Sequence, residues 1–178
     1  MSDTFKDLGD ISKDLGDTSK DLAPMLERRR VEAEILKHVY ETLKEKHDAA
    51  LAAEVVAEAV RRSSIEQGRA MAAAGEGATS LKSFEDLQPM WTRGGTLDVV
   101  VREKSADSFA FDVVRCRYAE MYRDMGLGEI GHLLSCQRDG TFCEGYDKNL
   151  KLKRTQTIMQ GASHCDFRYT YARDETKI

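Results

Sequence analysis

The residue pattern predicts an α+β fold: an N-terminal helical hairpin packed with a small, mainly antiparallel four-stranded sheet and short helices. Three observations carry this expectation. Apolar residues recur at three- and four-residue steps from position 25 to about 74, the spacing of helices with one buried face. Beyond Gly94 and Gly95 the pattern changes to β-branched and aromatic runs. The 178 residues amount to about one domain's worth of chain once a repetitive start is set aside, enough to bury a core.

Residues 6–24 read KDLGDIS, KDLGDTS, KDLAP, a heptad repeat with one leucine per unit. A coiled coil needs two apolar positions per heptad. Here Ile11 gives way to Thr18 at the second position, and Gly9 and Gly16 weaken a helix. Residues 1–23 therefore read as a solvated, flexible leader, the alternative being a partner-docking or self-associating amphipathic segment, and residues 24–178 as a single domain.

Pro24 suits the first position of a helix over about 25–46, whose apolar positions include Leu26, Ile35, Leu36, Val39, Tyr40 and Leu43. Asp48 can cap a second helix running to about 74, with Leu51, Val55, Val56, Val60 and Ile65 on its apolar face, before Gly75 and Gly77 end it. The two form a hairpin that could serve a homo-oligomer. Ser80 can cap a short helix over 81–87, which Pro89 terminates.

Thr96–Val101 and Phe109–Cys116 read as an antiparallel hairpin. Tyr118–Met125 and Leu127–Cys136 read as short helices meeting at Gly126, and Leu152–Met159 and Cys165–Tyr171 return to strand-like alternation.

Composition narrows the function classes. A chain that is 41% hydrophobic and 33% charged is neither membrane-spanning nor disordered in bulk. Most of the net charge of −4 sits in residues 1–23, so the near-neutral remainder offers no footprint for nucleic acid. No basic stretch followed by an apolar one opens the chain, which is read as cytoplasmic. The four cysteines, Cys116, Cys136, Cys143 and Cys165, then read as thiols rather than disulfides.

The densest set of reactive side chains lies in residues 132–166: His132, Cys136, Asp139, Cys143, Arg154, His164, Cys165 and Asp166. His132 and Cys136 are four apart on an expected helix and could meet as a thiol–imidazole pair. The helix C-terminus there would not lower a thiol pKa. Zinc is disfavoured because the cysteines lack closely spaced pairs, and no cofactor motif is present. Arg154 on a strand could hold a carboxylate. Regular pleating would put Cys165 and Asp166 on opposite faces of the last strand. Either a pocket receives one of them, or a bend over 161–164 re-aims both.

The stretches CRYAEMYRDMGLGEIGHLLSCQRD (116–139) and LKRTQTIMQGASHCDFRY (152–169) resemble the L-2-amino-thiazoline-4-carboxylic acid hydrolase family. Similarity also runs through 28–46, 65–72 and 81–91, so it covers about residues 24–172. The family motif falls on Cys116, Tyr118, Cys136, Asp139, Gly161, Cys165, Asp166 and Phe167. The resemblance implies hydrolytic opening of a small cyclic isothiourea or amidine to a carbamoyl-cysteine, as in L-cysteine biosynthesis. Cys136, Asp139, Cys165 and Asp166 would then be catalytic, with either thiol as nucleophile or proton carrier. Arg154, Tyr118, Cys116, Gly161 and Phe167 would bind substrate. The alternatives are hydrolysis of another small cyclic amide or amidine, or a non-catalytic small-molecule or redox-sensing domain.

Overall fold

The computed structural model describes residues 25–172, and the heptad leader lies outside them. Helices α1 (Met25–Lys46) and α2 (Ala49–Ala74) form the expected hairpin, with the Asp48 carboxylate accepting from the Leu51 amide at 2.8 Å as the N-cap of α2. The buried face of α1 runs through Arg29, Ala33 and Tyr40. That of α2 runs through Ala52, Val56, Val60, Ser64 and Gly68 at strict four-residue steps.

Two readings of these faces need correction. Ile35 and Val39 point outward on α1, and Leu51 and Val55 do so on α2, so the buried stripes are narrower than the apolar pattern suggested. Small residues take the vacated contact positions because α2 is gripped closely on its other side.

That grip comes from a helix the sequence reading left unassigned. After α3 (Leu81–Glu85), α4 (Gln88–Thr92) and α5 (Arg117–Asp124), the chain makes a π-helical turn over His132–Cys136 that runs directly into α6 (Gln137–Tyr146). Helices α2 and α6 meet backbone to backbone. A Cβ on Gly145 would stand 2.0 Å from the Ile65 carbonyl oxygen, and one on Gly68 would stand 2.4 Å from the Phe142 carbonyl oxygen. The buried Ser64 hydroxyl donates to the Arg138 carbonyl at 2.9 Å, fastening the start of α6 to α2.

The sheet has the order β1-β2-β4-β3 and is antiparallel throughout: β1 (Leu97–Lys104), β2 (Ser108–Cys116), β3 (Leu150–Lys153) and β4 (Cys165–Tyr171). The third strand begins and ends earlier than expected. Ile158 and Met159 lie instead in a 3₁₀ turn over Ile158–Gln160, capped by the Thr157 hydroxyl and closed by Gly161 at φ +96°. Pro89 starts α4 rather than ending α3, being tolerated in a first turn that needs no donor there.

Two apolar clusters result. One joins the hairpin to α5 and the π turn through Tyr40, Val56, Tyr122, Ile130 and Leu134. The other joins the sheet to α3 and α6 through Phe84, Phe111, Phe142, Leu150 and Phe167. Leu97, Cys116 and Ile158 touch both clusters and mark the seam between them.

Candidate functional site

A pocket opens at this seam. Its walls include Phe84, Trp91, Phe111 and Phe142, and its polar groups come from α1, α2, the π turn, α6 and the segment after β3. Aromatic walls with a few converging polar groups are the usual composition of a small-molecule site.

The π turn sets up the first polar group. Its wider winding ends at Cys136, and α6 then presents Asp139 in its first turn; such insertions recur at functional sites because they re-aim side chains within a helix. Asp139 Oδ2 lies 2.5 Å from Arg154 Nη1, while Arg154 Nη2 donates to the Cys136 carbonyl at 2.7 Å. The Arg154 guanidinium also sits 5.0 Å over the Phe167 ring. Phe167 is in turn stacked on Phe111, its register partner on β2, at 4.9 Å. Arg154 is thus engaged by Asp139, the Cys136 carbonyl and the Phe167 ring.

Burial pushes the Asp139 carboxyl above its ordinary range, and the charge of Arg154 pulls it back. The thiols are pushed harder. Burial, then the negative Asp139, lifts Cys136 to about 12. Burial lifts Cys116 to about 11, and it also raises Cys165. All three are protonated at neutral pH.

Cys165 opens β4 opposite Val113 and is 5% exposed, its sulfur accepting from the Ile158 amide at 3.1 Å. Cys116 caps α5, its sulfur accepting from the Ala119 amide at 3.4 Å. The Tyr118 hydroxyl donates to the Trp91 carbonyl at 3.1 Å. Cys116, Tyr118, Cys136, Asp139, Arg154, Cys165 and Phe167 all line the pocket.

Asp166 and Gly161 do not. The strand pleats regularly, so only Cys165 of the Cys-Asp pair faces the pocket, and Asp166 stands on the other face opposite Asp112. Its carboxylate accepts from the Thr155 and Gln156 amides at 3.0 and 2.9 Å and from the Thr155 hydroxyl at 2.7 Å. Its work is to pin the residues that follow Arg154. Gly161 supplies the left-handed corner that closes the 3₁₀ turn, a conformation other residues rarely adopt. His132 and His164 also lie outside the lining, and Cys143 is buried with its sulfur donating to the Asp139 carbonyl at 3.3 Å.

Asp166 carries a pH signature. Against the upward push of burial, the Thr155 hydroxyl and the Gln156 and Thr155 amides hold its carboxyl down at about 2. Its folded value lies below the unfolded one of about 3.9, so its contribution is complete above pH 4 and lost as pH falls toward 2. Asp166→Asn is expected to lower Tm at pH 7, with the deficit closing between pH 4 and 2 in thermal melts across that range.

Sequence reasoning missed the other polar wall: Arg29 on α1, Ser64 and Gln67 on α2, and Arg138 on α6. A signal was present for one of them. Arg29 falls in phase with Ala33, Leu36 and Tyr40, a guanidinium on an otherwise apolar stripe.

The α+β fold thus carries an aromatic-walled pocket in which a part-buried carboxylate–guanidinium pair stands beside thiols that burial keeps protonated. The chain belongs to the L-2-amino-thiazoline-4-carboxylic acid hydrolase family, whose model matches residues 28–169. No curated protein matches it. Among solved structures it is similar to trafficking protein particle complex subunit 3 from Naegleria fowleri covalently bound to palmitic acid, at 9% identity and a TM-score of 0.49, covering 83% of this chain and 98% of that one. It is also similar to an Fe(II) unliganded H-NOX protein variant from K. algicida, at 11% identity and a TM-score of 0.28, covering 89% and 68%. Among the described residues no helix is long and apolar enough to cross a membrane.

Proposed function

We propose that the chain hydrolyses a small cyclic isothiourea or amidine such as L-2-amino-thiazoline-4-carboxylate. The observation that carries this reading is the Asp139–Arg154 pair at 2.5 Å, set in an aromatic pocket beside Cys136 and Cys165 in a member of this family. Asp139 accepts a hydrogen bond from the amidine nitrogens and takes a proton from the attacking water. Water adds at the ring carbon between nitrogen and sulfur. The resulting intermediate expels one ring heteroatom, which leaves with a proton, and the product is a carbamoyl-cysteine one water heavier than the substrate. Asp139 returns to its starting state.

The raised thiol pKa values divide the labour between the cysteines and the carboxylate. A thiol held protonated at neutral pH is a weak nucleophile, so Cys136 acts as a proton relay: it gives its proton to the departing atom as it takes back the one Asp139 accepted from water, which restores both groups. The same property weighs against redox sensing, which favours exposed low-pKa thiols. Cys165, already accepting from the Ile158 amide, forms part of the wall.

Incubating the full chain with L-2-amino-thiazoline-4-carboxylate should yield a product heavier by one water in mass spectrometry. Titration with a thiol reagent then tells carbon–sulfur from carbon–nitrogen cleavage, because only the former frees a thiol. Cys136→Ser is expected to lower kcat by on the order of 100-fold, and Cys165→Ser by less than about ten-fold, its sulfur accepting a structural bond rather than moving a proton. Serine variants at 136 and 165 that both keep the wild-type rate would remove the thiols from the mechanism.

A further inference from the structure

The polar wall opposite Asp139 contains more positive charge than its own residues neutralise. Arg29 and Arg138 are 5% and 7% exposed and come from different helices. The Gln67 Oε1 atom accepts from both, at 2.9 Å from Arg29 Nη2 and 3.1 Å from Arg138 Nη2. The carboxylate behind them is that of Glu32, 2.5 Å from Arg29 and 3.8 Å from Arg138, and it is shared further with Arg28 at 3.0 Å. Arg154 and Asp139 balance each other across the pocket. One carboxylate therefore serves three guanidiniums, two of them buried.

The donors are unfinished as well. Arg138 Nε and Gln67 Nε2 are buried and have no hydrogen-bond partner among the described residues. An unmatched buried donor is costly, so a pair of them beside two guanidiniums is a standing demand for an acceptor. Burial and the like charge of Arg29 also draw Arg138 down to about 10, as expected of a cation short of partners. All three residues line the pocket.

We propose that Arg29, Arg138 and Gln67 form a carboxylate-binding subsite that anchors the substrate by its acid group while the ring reaches Asp139. The assignment deepens the hydrolase reading and shares its pocket. Two forked guanidiniums and an amide N–H match the planar, two-oxygen acceptor of a carboxylate. The ring carbon is thereby fixed relative to Asp139, and Arg154 keeps its positioning task.

The test compares L-2-amino-thiazoline-4-carboxylate with 2-amino-2-thiazoline, the same ring without the acid, by calorimetry and thermal shift on the full chain. Wild type is expected to bind the acid at least ten-fold tighter than the bare ring. Gln67→Glu is nearly isosteric and places a carboxylate between the two guanidiniums. It should leave Tm equal or higher, weaken the acid by at least 30-fold and abolish the preference. Arg138→Gln, read in the same way, should also lose the preference. Wild type binding both probes equally, or either variant binding the acid within three-fold of wild type, overturns the subsite. If the acid binds in a Gln67-dependent way but is recovered unchanged, the anchor stands and the hydrolytic reading falls.

Discussion

Asp139→Asn is expected to reduce kcat/KM on L-2-amino-thiazoline-4-carboxylate by on the order of 10³-fold, the range lost when a positioned general base is removed. The substitution keeps the shape of the side chain and one acceptor oxygen, so the loss reads the charge and the basicity. Structural damage is bounded. A fully buried ion pair broken on one side loses about 3–5 kcal/mol. Here Asp139 is 33% exposed at its side chain, and solvent reaching it reduces that penalty to about 1–2 kcal/mol. Circular dichroism and a melt then separate an inactive folded chain from an unfolded one.

Arg154→Met complements this. With the guanidinium gone, the largest downward pull on Asp139 is lost, leaving the weaker ones of Arg138 and Arg29 against the upward push of burial, so the carboxyl pKa rises. The base is active when ionised, so the acidic limb of the kcat/KM profile moves to higher pH in the variant. A limb that stays in place would show that Asp139 is not the titrating base.

How much of this could be read in the residues depended on whether the signal was local. The hairpin was legible because Asp48, Val56 and Val60 announce a cap and a face within a few residues of one another. Strands β1, β2 and β4 were legible through their β-branched and aromatic runs. Cys136, Asp139, Cys165 and Phe167 could be picked out through the motif resemblance, and they do share one pocket. Asp166 could not be resolved from the same motif, since whether a Cys-Asp pair is split by pleating depends on the absence of a bulge, which the register with Asp112 and Val113 decides. Gln67 and Arg138 look like ordinary solvated helix residues in the sequence, and Arg29 shows only as a guanidinium on an apolar stripe. Only the crossing of α1, α2 and α6 turns them toward a common point, and that crossing is a long-range fact.

Helix α6 itself was hidden by the residues that make it possible. Gly140 and Gly145 lower helix propensity by about 1 kcal/mol each, and they break the apolar period. Gly145 is nevertheless required, because its Cα rests against the backbone of α2, where an added Cβ would meet the Ile65 oxygen at 2.0 Å and the Ile65 carbonyl carbon at 2.8 Å. These are backbone atoms inside a helix and cannot swing aside. Gly145→Ala must therefore push α2 and α6 apart by about an ångström, and gaps of that size forfeit a quarter to a half of each contact across the crossing. The loss outweighs the better helix propensity of alanine. We expect a destabilisation of about 3 kcal/mol, at the upper end for overpacking, and a Tm lower by on the order of 10 °C. Gly140→Ala is the control. It lies in the same helix with nothing within 4 Å of its added Cβ, so it should keep or raise Tm. The two variants also differ in function. Displacing α6 moves Asp139 and Arg138 together, and the Ser64–Arg138 bond that fastens them is at the same crossing. Gly145→Ala assayed well below its Tm should thus lose turnover and acid binding together, whereas Gly140→Ala retains both; equal melting temperatures for the two variants would mean that the helices do not meet as closely as this crossing requires.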